Sequence, residues 1–205
     1  MKGIFITIEG PDGAGKTTQR ELLKEYLEKK GYDVLITRDP GGNPISEAIR
    51  EVILNKDFTE MGYMTELLLY ASARAQLVKE NIKPALDAGQ AVIADRFVDS
   101  SAVYQGIGLG VDTVYKVNEF ALQGIMPDMT FLMDLDAQEG ISRKKNQAEL
   151  DRMENEKMEF HQKVVDGYRM LADMHTERIV KIDATLPIDE IHGIIVGYVE
   201  KKLNL

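Results

Sequence analysis

The sequence predicts an α/β fold of three layers, in which a five-stranded parallel sheet carries helices on both faces. Five short apolar runs alternate along the chain with stretches of helix length. Strands buried on both faces of a parallel sheet have continuous apolar runs, and each crossover to the next strand uses a helix. The runs are "GIFITIE", "YDVLITR", "QAVIAD", "DMTFLMDL" and "RIVKID". With 205 residues and no internal repeat or long linker, we expect one domain over residues 1–205.

The first and last helices can be bounded from the same pattern. The first is predicted from Thr17 to Lys30, with Gly31 as its stop. One face of this helix is apolar, through Leu22, Leu23, Tyr26 and Leu27. The last helix is predicted to begin at Pro187 and to turn five side chains inward: Ile191, Ile194, Ile195, Tyr198 and Val199.

Composition excludes several classes of function. The formal net charge of −9 is the wrong sign for a nucleic-acid coat or for binding to an anionic membrane surface, which both need a basic face. The chain has no cysteine, which excludes disulfides, thiolate zinc sites and cysteine nucleophiles. The start, "MKGIFITIEG", lacks the long apolar segment of a secretory signal or a membrane span, so we expect a cytoplasmic protein.

The turn between the first strand and the first helix fits the phosphate-binding pattern G-x-x-x-x-G-K-[ST]. In such a loop the glycines let successive backbone N–H groups point inward, and the helix N-terminus adds positive potential, so the loop holds a di- or triphosphate. Lys16 is expected to bridge the β- and γ-phosphates, and the Thr17 hydroxyl to bind Mg²⁺. The predicted nucleotide-binding residues here are Gly10, Pro11, Asp12, Gly13, Ala14, Gly15, Lys16, Thr17 and Thr18.

The loop alone does not identify the reaction, because GTPases, ATPases, motors and small-molecule kinases all use it. A regulatory GTPase typically has a guanine-reading NKxD element, and this sequence has none. What the sequence has instead is a set of arginines at the ends of predicted elements.

Further motifs occur in order over nearly all of the chain: "EGPDGAGKTT", "TRDPGG", "LLLYASARAQ", "IKPAL", "ADRFVDSSAVYQG", "PDMTFLMDL" and "LDRMENE…FHQKVVDGY". With these motifs the chain resembles the bacterial thymidylate kinases, which are P-loop nucleoside monophosphate kinases. The resemblance implies a homodimer that uses ATP and Mg²⁺ to phosphorylate dTMP to dTDP, a step in dTTP synthesis. Two alternatives stay open: a kinase for dUMP, UMP or CMP, and a P-loop nucleotide-binding module without acceptor kinase activity. The apolar helices from Met64 to Leu77 and from Val114 to Leu122 are candidates for the dimer interface.

Arginines that follow two strands are predicted to bind the acceptor phosphate. Arg38 follows the second strand and Arg96 the third, so both project from the carboxyl edge of the sheet, where open α/β sheets bind ligands. Two guanidinium groups can bind phosphate oxygens bidentately. Arg50 either extends this clamp or pairs with Glu47 or Glu51 on a helix surface.

The resemblance also assigns residues to the acceptor base and sugar. Tyr70 and Arg74 are four residues apart and share a helix face. By resemblance to the family, the aromatic ring at Tyr70 stacks on the pyrimidine and the arginine at Arg74 reaches a base carbonyl. Gln105 and one of the two serines are implied to read the base edge, and Tyr104 to stand where a ribose 2′-hydroxyl would lie. The implied substrate-binding residues are Asp12, Arg38, Arg50, Tyr70, Arg74, Arg96, Ser100, Ser101, Tyr104 and Gln105.

Two acids complete the predicted site. Asp12 occupies the loop position where the family has an acid facing the acceptor sugar. Asp95 resembles the acid that holds Mg²⁺ beside the Thr17 hydroxyl, with Glu9 a weaker candidate and a plain ion pair the alternative for Asp95.

A charged segment at about 142–157, "SRKKNQAELDRMENEK", is predicted to be a mobile flap that closes over the nucleotides. Phosphoryl transfer needs positive charge at the γ-phosphate, and the P-loop contains no arginine. Positions that are commonly arginine in the family are Lys145 and Gln147 here, so either Lys145 replaces the arginine or Arg152 carries more of the charge. Arg143 is implied to lie against the donor adenine. The predicted catalytic residues are Lys16, Arg96, Lys145 and Arg152.

Overall fold

A computed structural model describes residues 3–145, 152, 153 and 156–205, with residues 144 and 145 described by their backbone alone. Five strands form one parallel sheet in the order β2-β3-β1-β4-β5. The strands are β1 Ile4–Glu9, β2 Val34–Arg38, β3 Ala91–Asp95, β4 Met129–Asp134 and β5 Ile179–Asp183. Each of the five predicted runs is therefore a strand, and the predicted fold class is confirmed.

Helices connect the strands. Those before β3 are α1 Lys16–Lys29, α2 Pro44–Leu54, α3 Tyr63–Leu77 and α4 Lys83–Asp87, with one π-helical turn at Val78–Ile82 between the last two. Those after β3 are α5 Val98–Tyr104, α6 Gly106–Leu109, α7 Val111–Leu122, α8 Ala137–Lys145, α9 Met158–Met174 and α10 Ile188–Leu203. None of the helices in the described parts of the chain has the length and hydropathy that a membrane span requires.

Alternation along β1 divides the core between the two faces of the sheet. Ile4, Ile6 and Ile8 pack in the cluster that includes side chains of α1 and α10. Phe5 packs on the opposite face, in the cluster that includes Phe97. Because Glu9 is two residues from Thr7 and four from Phe5, its side chain also points to this second face, which α5 and α9 cover.

The first and last helices match their predictions closely. In α1, Leu23 and Leu27 are fully buried, as the apolar face predicts. In α10, Ile191, Ile195 and Val199 are buried, but Tyr198 is 45% exposed, so the prediction that it points inward is wrong. Tyr198 lies at the border of the apolar face, where its ring edge meets Phe131 at a centroid distance of 6.5 Å and its hydroxyl can stay in water.

Candidate active site

A cleft of about 540 Å³ opens at the carboxyl edge of the sheet, where β1, β2 and β3 end. Most of the predicted site residues line it: Asp12, Gly13, Ala14, Gly15, Lys16, Thr17, Thr18, Arg38, Arg50, Tyr70, Asp95, Arg96, Ser100, Ser101, Tyr104 and Gln105. Four lining residues were not predicted: Arg20, Pro40, Leu54 and Met153. The phosphate-binding loop and the predicted acceptor residues therefore share one cleft.

The loop from β1 to α1 has the backbone of an anion cradle. Gly13 has φ +77°, and a Cβ placed there would lie 2.3 Å from the carbonyl oxygen of Gly140 on α8, so no side chain fits. Gly15 caps α1 with φ 84° and offers no side-chain acceptor to the first N–H groups of the helix. These N–H groups face the cleft without a side-chain cap, which is the arrangement that binds phosphate.

Lys16 is folded back onto this loop. Its Nζ donates to the carbonyl oxygens of Gly10, at 3.0 Å, and Pro11, at 2.8 Å. Burial, reinforced by the nearby charge of Arg96, lowers the pKa of the Lys16 ammonium to about 8. A phosphate group in the cleft would restore the charged form and compete with the two carbonyls for Nζ.

The residues present fit a magnesium ion held with nucleotide phosphates. Thr17 and Thr18 are exposed at the start of α1, and the half-buried Asp95 carboxylate lies on the same cleft, with Arg20 Nη1 3.7 Å from its Oδ2. Among the described residues, no group of three or more acidic or histidine side chains could hold a metal by itself. A hydroxyl and one carboxylate suit Mg²⁺, which keeps several waters and takes oxygen ligands from phosphates.

Arg96 connects the phosphate-binding loop with α5 and α9. It follows β3 directly, and its φ of 67° is unusual for a residue other than glycine. Its Nη2 donates to Oδ1 of Asp12 in the phosphate-binding loop at 2.6 Å. Its Nη1 donates to Ser100 Oγ at 3.2 Å and to the Tyr168 hydroxyl at 2.9 Å. The guanidinium also lies 5.2 Å from the centroid of the Tyr104 ring.

A buried carboxylate lies behind Arg96. Glu9, the last residue of β1, is 1% exposed. Its Oε1 accepts a hydrogen bond from the Phe97 backbone N–H at 2.7 Å. Its Oε2 accepts from Ser100 Oγ at 2.6 Å and from the Tyr168 hydroxyl at 3.0 Å. Glu9 is thus directed at α5 and α9, and it is not among the residues that line the cleft.

The environment of Glu9 perturbs its ionisation. Burial and then the charge of Asp99 raise its pKa to about 7, although Arg96 and the hydrogen bonds from Ser100 and Phe97 oppose the shift. Tyr168, which shares hydrogen bonds with both Glu9 and Arg96, was not predicted as a site residue. It lies 72 residues from Arg96 in the chain, and a tyrosine on an amphipathic helix gives no local signal of such a contact.

The two other phosphate-site arginines lie on the β2 side. Arg38 Nη2 donates to Glu47 Oε2 at 2.8 Å, and its side chain is 52% exposed. Arg50 lines the cleft and its Nη1 donates to the carbonyl oxygen of Pro40 at 3.0 Å. With Arg96, these residues surround one end of the cleft with three guanidinium groups.

Arg74 is the one predicted acceptor-binding residue that lies away from the cleft. It is 1% exposed and does not line the cleft. Its Nε donates to Asp39 Oδ2 at 2.5 Å, and its Nη2 to Ser101 Oγ at 2.8 Å and to the Phe97 carbonyl at 3.3 Å. Its Nη1 donates to Asn118 Oδ1. Arg74 is therefore buried and hydrogen-bonded to Ser101, which lines the cleft. The contact of Arg74 with a base stays a prediction.

The aromatic and amide residues of the predicted base site line the same cleft as these arginines. Tyr70, on α3, is half-buried. The Tyr104 ring meets the Phe160 and Tyr168 rings edge-on at 6.1 and 6.3 Å, and burial raises the pKa of its hydroxyl far above the ordinary value. Gln105 is 1% exposed at the end of α5.

The predicted flap cations are only partly described. Arg143 on α8 donates to the Ala184 carbonyl oxygen at 3.2 Å and to Glu139 Oε1 at 2.5 Å. Arg152 donates through Nε to the Ile53 carbonyl oxygen at 2.9 Å, and through Nη2 to Glu66. The side chain of Lys145 and the whole of Gln147 lie outside the described residues.

A phosphate-binding loop that continues into a cleft lined by arginines defines a P-loop nucleotide kinase. The family model for thymidylate kinase matches residues 8–195. A thymidylate kinase of Geobacillus thermodenitrificans (strain NG80-2) is 50% identical over 208 aligned residues, covering 100% of this chain and 92% of the relative. One from Exiguobacterium sp. (strain ATCC BAA-1283 / AT1b) is 45% identical over 206, covering 100% and 97%. The crystal structure of thymidylate kinase from Ehrlichia chaffeensis superposes with a TM-score of 0.79 at 30% identity, covering 97% of this chain and 99% of that one. The chain therefore belongs to the thymidylate kinase family.

Proposed function

We propose that this protein is a cytoplasmic enzyme that transfers the γ-phosphoryl group of ATP to the phosphate of dTMP, giving dTDP and ADP. The observation that carries the proposal is the contact of Arg96 with Asp12, because it connects the phosphate-binding loop to the arginine-lined end of the same cleft. An acceptor phosphate oxygen is already ionised, so it attacks phosphorus directly and needs no general base. Family membership supports ATP as donor and dTMP as acceptor.

At the donor end, the uncapped N-terminus of α1 binds the phosphates of ATP. Lys16 exchanges its two loop carbonyls for phosphate oxygens, and Thr17 and Asp95 hold Mg²⁺. When bound, the ion neutralises charge that develops on the phosphoryl oxygens. Arg143 lies against the adenine of ATP. It is on α8, the helix that packs on the phosphate-binding loop, and it contacts the loop after β5.

At the acceptor end, Arg38, Arg50 and Arg96 bind the dTMP phosphate and hold it in line with the donor. Asp12 faces the acceptor sugar, and Tyr104 occupies the space of a ribose 2′-hydroxyl. Tyr70 stacks on the base, whose edge Gln105 reads with Ser100, Ser101 or Arg74. All of these residues except Arg74 line the cleft, which supports their assignment.

The flap supplies further positive charge. Of the two predicted cations, Lys145 suits the transition state better, because Arg152 is engaged by Glu66 and the Ile53 carbonyl in the structure described here. A direct contribution of Arg152 to the transition state stays a prediction.

We also propose a homodimer through α3 and α7. Met64 and Leu68, one turn apart on α3, are 43% and 50% exposed, and Phe120 on α7 is 87% exposed. Gln123 at the end of α7 donates to the Ala75 carbonyl of α3 at 2.9 Å, so the two helices share one surface. An apolar patch of this kind marks an interaction surface. Light scattering after gel filtration should give twice the mass of the chain, and Phe120→Asp should shift it to one chain; a monomeric wild type would overturn this proposal.

The activity is tested by ADP formation with ATP and Mg²⁺ against dTMP, dUMP, dGMP, UMP and CMP. Turnover should be highest with dTMP and should be lost in Lys16→Ala. Equal ADP formation with and without every acceptor would show a nucleotide hydrolase and refute the proposal.

A further inference from the structure

Glu66 links Gln105, which lines the cleft, to Arg152 of the predicted flap through two polar contacts. Glu66 lies in the first turn of α3 and is 4% exposed. Its Oε1 accepts a hydrogen bond from Gln105 Nε2 at 2.8 Å. Its Oε2 accepts from Arg152 Nη2 in the predicted flap. Both oxygens of a buried carboxylate are therefore used, one by a cleft residue and one by a cation.

This contact determines which way the Gln105 amide is turned. An ionised carboxylate only accepts hydrogen bonds, so the amide must present its nitrogen to Glu66 and its oxygen away from it. Gln105 Oε1 is buried and has no hydrogen-bond partner among the described residues, although Gln105 lines the cleft. A buried carbonyl oxygen without a donor is costly, which indicates that a ligand group supplies one.

Pyrimidine bases differ in whether the ring atom N3 donates or accepts a hydrogen bond. Thymine and uracil carry N3–H, a donor, whereas N3 of cytosine is an acceptor. An amide oxygen held towards N3 pairs with the first and opposes the second. If the amide turned over, its NH₂ would face N3 and the preference would be reversed.

We propose that Glu66 is a specificity-determining positioning residue, which holds the Gln105 carbonyl towards the acceptor base and so selects pyrimidines with N3–H over cytosine. The proposal rests on the proposed function, since it takes the acceptor to be a pyrimidine nucleotide. Arg152 has a supporting part, because its guanidinium compensates the charge of the buried carboxylate. Glu66 itself touches neither the reacting phosphates nor the cleft surface.

The test compares kcat/KM for dUMP and dCMP, which differ only at positions 3 and 4 of the base. In Glu66→Gln the neutral amide can accept or donate towards Gln105, so the orientation is released. We expect the dUMP-to-dCMP ratio to fall about tenfold, chiefly through KM. Glu80→Gln is the matched control, because Glu80 accepts from Gln76 Nε2 at 2.7 Å in an exposed pair of the same kind, and it should leave the ratio unchanged.

Two further variants separate positioning from structure. Glu66→Asp keeps the charge but withdraws the carboxylate by one methylene, so it should lower the ratio too, and it serves if Glu66→Gln folds poorly. In a Gln105→Met background, Glu66→Gln should produce no further change in the ratio, because it acts through Gln105.

The outcomes distinguish this inference from the proposed function. Equal losses on dUMP and dCMP in both Glu66 variants, or an undiminished effect in the Gln105→Met background, would overturn the role of Glu66 while leaving the kinase assignment standing. Absence of turnover by the wild type with every pyrimidine nucleotide would overturn the proposed function, and this inference with it.

Discussion

Replacing the buried Glu9 by glutamine should change how the stability of the protein depends on pH. Its pKa is raised from 4.5 to about 7, chiefly by burial. Below pH 4.5 the carboxyl is protonated in both the folded and the unfolded chain and has no effect on their balance. Between pH 4.5 and 7 the unfolded chain releases the proton while the folded chain retains it, so the wild type loses stability as the pH rises; above pH 7 the loss is complete.

The size of the effect follows from the same shift. Each pKa unit corresponds to about 1.4 kcal/mol, so the shift of Glu9 corresponds to about 3 kcal/mol of folding free energy. Glutamine does not titrate, and its amide can still accept from the Phe97 N–H. The free energy of unfolding of the wild type, relative to that of Glu9→Gln, should therefore fall by about this amount between pH 4 and pH 8.

Urea unfolding followed by circular dichroism at five pH values across this range measures the difference. Glu28→Gln on the surface of α1 is the control, and it should differ from the wild type by less than about 0.5 kcal/mol at every pH. A difference between the wild type and Glu9→Gln that is constant with pH, or that grows in favour of the wild type as pH rises, would show that the pKa of Glu9 is not raised in the folded protein.

Three other variants or conditions test the contacts of Lys16, Arg96 and Asp99. ADP binding should weaken from pH 7 to pH 9 and should take up a proton near pH 8.5, because the pKa of Lys16 is lowered to about 8 and a bound phosphate restores the charged ammonium. Calorimetry in two buffers of different ionisation enthalpy measures the proton uptake. A Kd that is constant with pH, without proton uptake, would contradict this prediction. Tyr168→Phe removes one hydrogen-bond acceptor of Arg96. It should lower kcat/KM for dTMP about tenfold while changing KM for ATP little. Equal changes in the kinetic constants for dTMP and for ATP would argue against a role of Tyr168 at the acceptor end. Asp99→Asn breaks the bidentate pair between the buried Asp99 and the half-buried Arg178, whose two contacts are 2.6 and 2.9 Å. It should reduce the free energy of unfolding, measured in urea, by about 3 kcal/mol, because the partner charge is left uncompensated. A loss below about 1 kcal/mol would show that the pair contributes little to stability.

The features that the sequence predicts well are local in the chain. The apolar runs identify the five strands, and the glycines, Lys16 and Thr17 of the phosphate-binding loop lie within one turn between β1 and α1. Arg38 and Arg96 could be assigned to the cleft because the carboxyl ends of parallel strands meet at one edge.

The features that it misses depend on distant contacts. The Tyr168 hydroxyl reaches Glu9 across 159 positions, and Arg152 reaches Glu66 across 86. The burial of Arg74 on α3 could not be foreseen either, since its partner Asp39 lies 35 positions away, in the loop after β2. Neither residue pattern nor spacing reports such pairings, because they are set by how the helices pack on the sheet.

Phosphoryl transfer to dTMP can be followed directly with the label of [γ-³²P]ATP. With Mg²⁺ and dTMP the label should appear in dTDP; no labelled product should form without dTMP, and Lys16→Ala should abolish it. Label that leaves ATP as inorganic phosphate at the same rate with and without dTMP, with no labelled dTDP, would contradict phosphoryl transfer to dTMP.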